Sequence, residues 1–416
     1  AAVSGADHDD RRLWLIMGTT CEVRLRTDDA RAARRAFDAA YRELALVDSL
    51  MSLYRPSSEL SRLNRTAANG MVTLSQPTWD VFEASMEVAG KSDGAFDVTV
   101  KPLMDLWGFH RRAAHRPGPT QVDSVMSLVG WTKLAVDVER RGVTFGTAGM
   151  ALDFGGIAKG YALDRAIGAI ESVGIENALI DLGGNIVARG SIHSGAVGWP
   201  VAIRDPGQPD SILTAVRLVN EAVASSGGYE KFVVLDGVTV GHILDVRRGE
   251  PVTGVLGTAV LAPQAMLADA LSTTLFVLGP EAIDWLTRRY PAAEAMVMLA
   301  SPAGAGGKSF YSHASRDRFD CDFRERLPVP AVTIFTRFLP VECGPRGPAP
   351  LYSASRNAAV GLVTRTVFPA TGEEALPRSR PARGRGRPSS SPSGFHHGSD
   401  DVMERPRPTR SSKSTV

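Results

Sequence analysis

The sequence predicts an α+β fold with mixed, largely antiparallel sheets and packed helices. Strand-like segments come in runs, and helices interrupt the runs instead of alternating with every strand. The chain also carries no internal repeat, so it is read as individual elements and not as an array.

Leu13 to Leu25 reads as a first strand with Gly18-Thr19-Thr20 inside it. Ala30 to Leu50 reads as a long amphipathic helix, because Phe37, Tyr41 and Leu44 recur at helical spacing among arginines. Trp79, Phe82 and Met86 mark a second helix, ending near Gly90 or Gly94. Strand-like stretches follow at Val143–Phe145 and Ala151–Phe154, then a helix from Ala158 to Val173 that Gly174 stops. Further strands are expected at Ala178–Leu182, Pro200–Ile203, Ala215–Leu218 and Val255–Leu261. Phe232–Leu235 and Val238–Val240 flank Asp236-Gly237 and read as a hairpin. A helix from about Met266 to Leu278, a short helix near Ala282–Tyr290 and a strand Ala295–Leu299 complete the pattern.

The 416 residues are 44% hydrophobic and 22% charged, a normal globular balance. No apolar run is long enough to span a bilayer. The net charge of +2 hides an asymmetry. Residues 377–416 carry nine Lys/Arg against three Asp/Glu, and the remainder carries 38 against 42. The basic balance therefore belongs to the tail. Residues 1–300 read as the folded domain, 301–376 as a poorly defined extension, and 377–416 as a disordered Pro/Arg/Ser-rich tail. Arg383-Gly-Arg-Gly-Arg387 has no interleaved aromatics, so a solvated tail is expected and no nucleic-acid partner. Cys21, Cys321 and Cys343 form neither a metal-ligand spacing nor a disulfide framework.

Five segments carry chemistry. Ala268-Asp269-Ala270-Leu271-Ser272-Thr273-Thr274 puts a carboxylate and a hydroxyl at i and i+4 in an apolar helix. Such a carboxylate needs a partner: a hard cation such as Mg2+, or a pairing elsewhere in the fold. Asp153-Phe-Gly155-Gly156-Ile-Ala-Lys159-Gly160 is a glycine turn opening a helix, suited to an anion, with Lys159 as a point charge. It has neither P-loop nor GxGxxG order. Gly94-Ala95-Phe96-Asp97 with Trp107-Gly108-Phe109 sets aromatics beside a carboxylate, which suits a planar heterocycle or simply a core. His242-Ile-Leu-Asp245 offers a proton acceptor and a group to orient it. Ala224-Ser225-Ser226-Gly227-Gly228-Tyr229, just upstream, reads as a small-residue loop where a diphosphate or ribose could lie.

The ordered set of these pieces resembles the FAD:protein FMN transferases, the ApbE-type flavin transferases. To the segments above it adds Met17-Gly-Thr-Thr20, Ser52-Leu-Tyr54, Ser58-Glu-Leu60, Leu63-Asn64, Leu106-Trp-Gly-Phe109 and Asp181-Leu-Gly-Gly-Asn185. Colinear matches cover about residues 13–300. The resemblance implies a T-fold-like flavin transferase domain. It implies FAD as substrate, cleavage to AMP, and attachment of FMN through phosphate to a Thr or Ser of a target protein. Mg2+ would be held by Asp269, Thr273 and the Gly156 carbonyl. Met17, Tyr54, Ala95, Phe96, Asp97, Asp153, Lys159 and Ser226 would line the FAD site. His242 and Asp245 would sit beside the diphosphate as the catalytic pair. The family usually continues this pair with Pro and a basic-Thr-Gly turn, whereas here Val246-Arg247-Arg248-Gly249 follows.

The resemblance also favours the bacterial cell envelope, with the cytoplasm as the alternative, and implies a redox or electron-transport subunit as acceptor. The Ser/Asp-Gly-Ala-Ser/Thr pattern expected of an acceptor is absent, since Ser194-Gly-Ala196 is followed by Val197. The modified protein is therefore expected to be another chain. The same residues would also serve an FAD-hydrolysing protein or a non-catalytic flavin-binding protein of this fold. Retention of Asp269 and Thr273 weighs against simple binding, which needs no metal.

Overall fold

A computed structural model describes residues 8–111, 115–206, 208–227, 232–235, 238–300, 308–313 and 332–335. The segment expected as one strand is a hairpin, β1 (His8–Ile16) and β2 (Thr19–Thr27). Met17 and Gly18 take φ of 52° and 74°, a two-residue turn whose twist matches the strands it joins. Helix α1 (Ala30–Met51) follows, capped by Asp29, whose carboxylate accepts from the Arg31 and Ala32 amides. Ala33, Phe37, Ala40, Leu44 and Val47 form its buried stripe, whereas Tyr41 lies outside the stripe and stacks on Trp14.

Helix α2 (Glu59–Thr66), strand β3 (Val72–Thr73) and helix α3 (Gln76–Lys91) come next. Two short helices, α4 (Lys101–Leu106) and α5 (Pro119–Met126), precede β4 (Leu134–Asp137) and β5 (Gly142–Phe145). Strands β3, β5 and β4 make a small antiparallel sheet. Helix α6 (Ala158–Ser172) leads into β6 (Asn177–Leu182) and β7 (Asn185–Arg189), joined at Gly183 and Gly184, both with positive φ. Then come β8 (Trp199–Asp205), β9 (Gln208–Leu218) and β10 (Ala222–Gly227). Strands β11 (Phe232–Leu235) and β12 (Val238–Gly241) pair as the expected hairpin, whose Asp236-Gly237 centre lies outside the described residues. Two short strands, β13 (Leu244–Asp245) and β14 (Glu250–Pro251), precede β15 (Val255–Ala262). The chain continues through α7 (Ala265–Leu278), α8 (Ala282–Arg289), β16 (Glu294–Ala300), β17 (Lys308–His313) and β18 (Val332–Phe335).

An eight-stranded sheet in the order β1-β2-β6-β7-β10-β15-β16-β17 is antiparallel throughout. On one face, α1 and α6 pack over Cys21, Val23, Leu25, Ile180 and Leu182, and α7 packs over β10 and β15. On the other face, Leu179, Ile186 and Ala188 meet Trp199, Val201 and Ile203 of β8. Both faces are covered, which is why β6 reads as a continuous apolar run without alternation. The α+β expectation holds. Strand β18 pairs parallel with β8, the one parallel pair among the described strands. Cys21 is a buried free thiol pushed up to about 12, by burial first, in keeping with a packing role.

Two further expectations need correction. Residues 222–227 form β10, inside the sheet, and not a small-residue loop. Their Ser and Gly content signalled a turn, but small side chains here let α7 lie close against the strand. Residues 151–154 belong to no strand. The Asn64 side-chain amide brackets Leu152 instead, accepting from its N–H (2.7 Å) and donating to its carbonyl (2.9 Å). Among the described residues, no helix is long and apolar enough to cross a membrane.

Helices α6 and α7 run antiparallel and meet at Gly160. A Cβ there would lie 2.2 Å from the Ala265 carbonyl oxygen and 2.6 Å from the Met266 Cα. One turn further on, Asp164 of α6 caps α7, its two oxygens accepting from the Ala265 and Met266 amides at 2.8 Å each. The Gly160→Ala substitution is therefore expected to destabilise the fold by about 1–3 kcal/mol through overpacking against backbone. Chemical denaturation would read this as a lower midpoint. An unchanged midpoint would mean that the two helices can separate freely.

Candidate active site at the junction of two helices

The α6–α7 junction gathers most of the residues singled out by sequence. Asp269 is 2% exposed. Its Oδ2 accepts from the Gly160 amide (3.0 Å) and its Oδ1 from Lys159 Nζ (3.2 Å). Thr273, one turn along, is half-buried. A Cβ on Gly156 would come within 3.0 Å of the Thr273 hydroxyl and 3.3 Å of the Phe96 ring, so only glycine lies comfortably there. The neighbouring hydroxyls are engaged: Ser272 donates to the Asp269 carbonyl, Thr274 to the Ala270 carbonyl and Thr258 to the Ser272 carbonyl. Ser226 of β10 bonds Ser272 at 2.9 Å. This ladder fixes the rotation of α7 and turns Asp269 and Thr273 toward α6.

These donors suit a hard cation. One ionised carboxylate, a hydroxyl with no hydrogen bond among the described residues, and a glycine backbone close to it are oxygen ligands of the kind magnesium takes. No group of three or more His, Cys, Asp or Glu able to hold a metal occurs among the described residues, so a softer site is not offered. Both sequence readings of Asp269 meet here. It is paired, with Lys159, and it also stands beside an oxygen-donor set.

The turn before α6 joins this junction to the aromatic segment. The Asp153 amide donates to the Val98 carbonyl (2.7 Å), and Asp153 Oδ1 accepts from the Gly155 amide (2.7 Å). Phe96 and Ala95 are buried beside it. Asp97 is largely committed within the protein, accepting from the Thr99 amide and hydroxyl and from the Trp131 amide at 2.7–2.8 Å. Burial still raises its carboxyl above the ordinary range.

His110, which sequence reasoning passed over, lies between two carboxylates. Its Nδ1 is 2.8 Å from Asp105 Oδ1 and its Nε2 is 3.0 Å from Asp153 Oδ2. Burial alone would lower the imidazole, but hydrogen bonds and charge from Asp105 and Asp153 outweigh it and push it up to about 9. The available signal was its position directly after Trp107-Gly108-Phe109.

His242 is half-buried in the link between β12 and β13. Asp245 is buried, and all three described hydrogen bonds to its carboxylate come from Arg247: the amide and Nε to Oδ1 (3.0 and 2.9 Å), Nη2 to Oδ2 (2.9 Å). The unusual Val246–Gly249 turn closes through the Asp245 carbonyl, which accepts from the Arg248 and Gly249 amides, with Gly249 at φ 72°. Trp107 Nε1 donates to the Gly249 carbonyl at 3.0 Å and pins this turn to α4. Strand registers put the Met17–Gly18 turn, the Gly183–Gly184 turn and Ser226 at one end of the large sheet. The Ser226–Ser272 bond brings the Asp269–Thr273 turn of α7 to the same end. Tyr54 is 74% exposed between α1 and α2, and no described contact ties it to the cluster. Gly228 and Tyr229 lie outside the described residues.

The site is thus an oxygen-donor and lysine cluster where a glycine turn enters a helix over a covered antiparallel sheet, and such a cluster defines a protein suited to a phosphate-bearing ligand. The sequence matches the ApbE family over residues 17–297, and the chain belongs to that family. It is 31% identical to the FAD:protein FMN transferase of Salmonella typhimurium, over 71% of this chain and 85% of that one. It is 33% identical to the enzyme of that name from Treponema pallidum, over 69% and 84%. Among solved structures it resembles the flavin transferase ApbE from Vibrio cholerae, with a TM-score of 0.66, 27% identity, and 75% and 99% coverage. The apo flavinyl transferase ApbE of Pseudomonas stutzeri gives a TM-score of 0.65 and 27% identity, covering 74% and 95%.

The His110 geometry predicts a titration. In histidine side-chain NMR its midpoint should lie near 9, and Asp153→Asn should lower it. The raised value favours the folded state. That stabilisation is full below the unfolded value of 6.5 and is lost as pH rises through about 9. A midpoint near 6.5 would rule out the double ion pair.

Proposed function

We infer that this protein is a transferase that takes FMN from FAD and joins it to a hydroxyl of another protein. The match to the ApbE family across residues 17–297 carries this reading. The α6–α7 donor cluster supports it from the side of chemistry. In the proposed step the acceptor Ser or Thr oxygen attacks the FMN phosphorus. The bond from that phosphorus to the bridging oxygen breaks, and AMP leaves with the bridging oxygen. The hydroxyl proton passes to a base on the enzyme.

We assign magnesium to Asp269, Thr273 and the Gly156 carbonyl. When bound, it neutralises charge on the diphosphate. Lys159 adds a second positive charge on the same side. Phe96, Ala95, Met17 and Tyr54 are assigned to the FAD site with Asp153, while Asp97 supports it by holding the Val98–Val100 turn and Trp131 in place. Ser226 acts by bonding Ser272.

His242 is the proposed base. Asp245, its rival, holds Arg247 with both oxygens, and protonating it would break into that bidentate pair. The ordinary range of an imidazole lies near neutral pH, which suits a proton acceptor.

Two variants test these roles. Asp269→Asn keeps an acceptor for the Gly160 amide but removes the charge. Incubated with FAD, magnesium and an acceptor protein, and read by mass analysis of the acceptor, it should transfer FMN about a hundredfold more slowly or worse. Near-normal turnover at limiting magnesium would remove the metal assignment. His242→Ala should lose about a hundredfold or more. It should also flatten the rise in rate between about pH 6 and 7 while leaving FAD affinity little changed. A loss confined to FAD binding would instead make His242 a binding group.

A further inference from the structure

Neutral imidazole carries a single N–H, so it donates from one ring nitrogen only. His110 has a carboxylate oxygen within 3.0 Å of each ring nitrogen, and its side chain is 15% exposed. With both carboxylates ionised, both nitrogens must donate, and the ring is an imidazolium. Asp105 holds the ring from behind and is itself fixed by Lys101 Nζ at 2.5 Å, one turn back on α4. Asp153, in the turn before α6, is thereby fixed at both oxygens, by the Gly155 amide on Oδ1 and His110 on Oδ2.

We propose that His110 is a positioning residue for FAD binding, holding the Asp153 carboxylate in the single orientation in which it meets the substrate. The Asp153 rotamer is settled before FAD arrives, so binding spends no ordering free energy on it. The proposal rests on the reading that Asp153 lines the FAD site. Among the described residues, the charged groups set against the ring are Asp105 and, behind it, Lys101 on α4, and Asp153 on the loop before α6. Below about pH 9 the ring stays charged and the clamp is closed; above it, one of the two bonds is lost.

The test compares the wild type with His110→Gln, His110→Arg, Asp153→Asn and the His110→Gln/Asp153→Asn double variant. FAD binding is followed by calorimetry and FMN transfer by steady-state kinetics, from pH 7 to 10. Glutamine presents one donor and one acceptor, so His110→Gln should weaken FAD binding about tenfold, with kcat changed much less. Arginine donates to both carboxylates at every pH used. His110→Arg should therefore restore affinity and abolish the fall that the wild type shows above about pH 9. In the double variant, loss of His110 should add almost nothing to Asp153→Asn, because the histidine acts through that carboxylate. Should His110→Gln not fold by its thermal melt, the pH profiles of wild type and His110→Arg decide alone. Wild-type affinity in His110→Gln, additive losses, or identical pH profiles would overturn the proposal. If Asp153→Asn binds FAD normally, the placement of Asp153 in the site fails and the proposal falls with it. If Asp153→Asn is impaired and His110→Gln is not, only the role of His110 fails.

Discussion

The close crossing of α6 and α7 is the constraint on which the rest depends. With no side chain at Gly160, the backbone of α7 lies against α6, and its amide reaches the Asp269 carboxylate. An ionised group buried this deeply is tolerable only with donors aimed at it. Gly160 and Lys159 supply them from one helix turn, and the same approach brings Gly156 against Thr273. Separating the helices by the width of a methyl group would strand the carboxylate and dissolve the oxygen cluster together.

The large sheet serves this junction as a fixed floor. Its strands end in tight turns at Met17–Gly18 and Gly183–Gly184. These turns touch, since the Gly183 amide donates to the Thr20 carbonyl and a Cβ on Gly183 would press on Thr19. Two motifs far apart in sequence thus become one rim. From the other side, the Trp107–Gly249 bond brings the Asp245 turn to α4, which also carries Asp105. The polar groups sit on short turns, but the turns are tied to helices and strands, so little of the site depends on free loop geometry.

Much of this was legible in the residues, and the reasons for the misses are local. Helices α1, α3, α6 and α7 carry long apolar stripes bounded by Asp29, Ser75 or glycines, and periodicity finds them. The first hairpin was read as one strand because Met17 gives no hint of a positive φ; only the fold holds it there. Strand β10 was hidden by Ser and Gly, residues chosen for closeness to α7 and not for bending. At the site, the i, i+4 pair of Asp269 and Thr273 could be read from spacing alone. His110 could not, because its partners lie 5 and 43 residues away and only folding brings both carboxylates to it. Arg247, likewise, reads as a solvent-facing turn residue until Asp245 is seen beneath it.

Helix α7 does not cap itself. Gln264 at its start makes no side-chain bond to the first turn, and the two exposed amides are taken by Asp164 from the neighbouring helix. Duties usually met by one position are thereby split between two, 100 residues apart. Losing the carboxylate at 164 would strand the Ala265 and Met266 amides together, and a Ser, Asp or Thr at 264 would recover only the second of them.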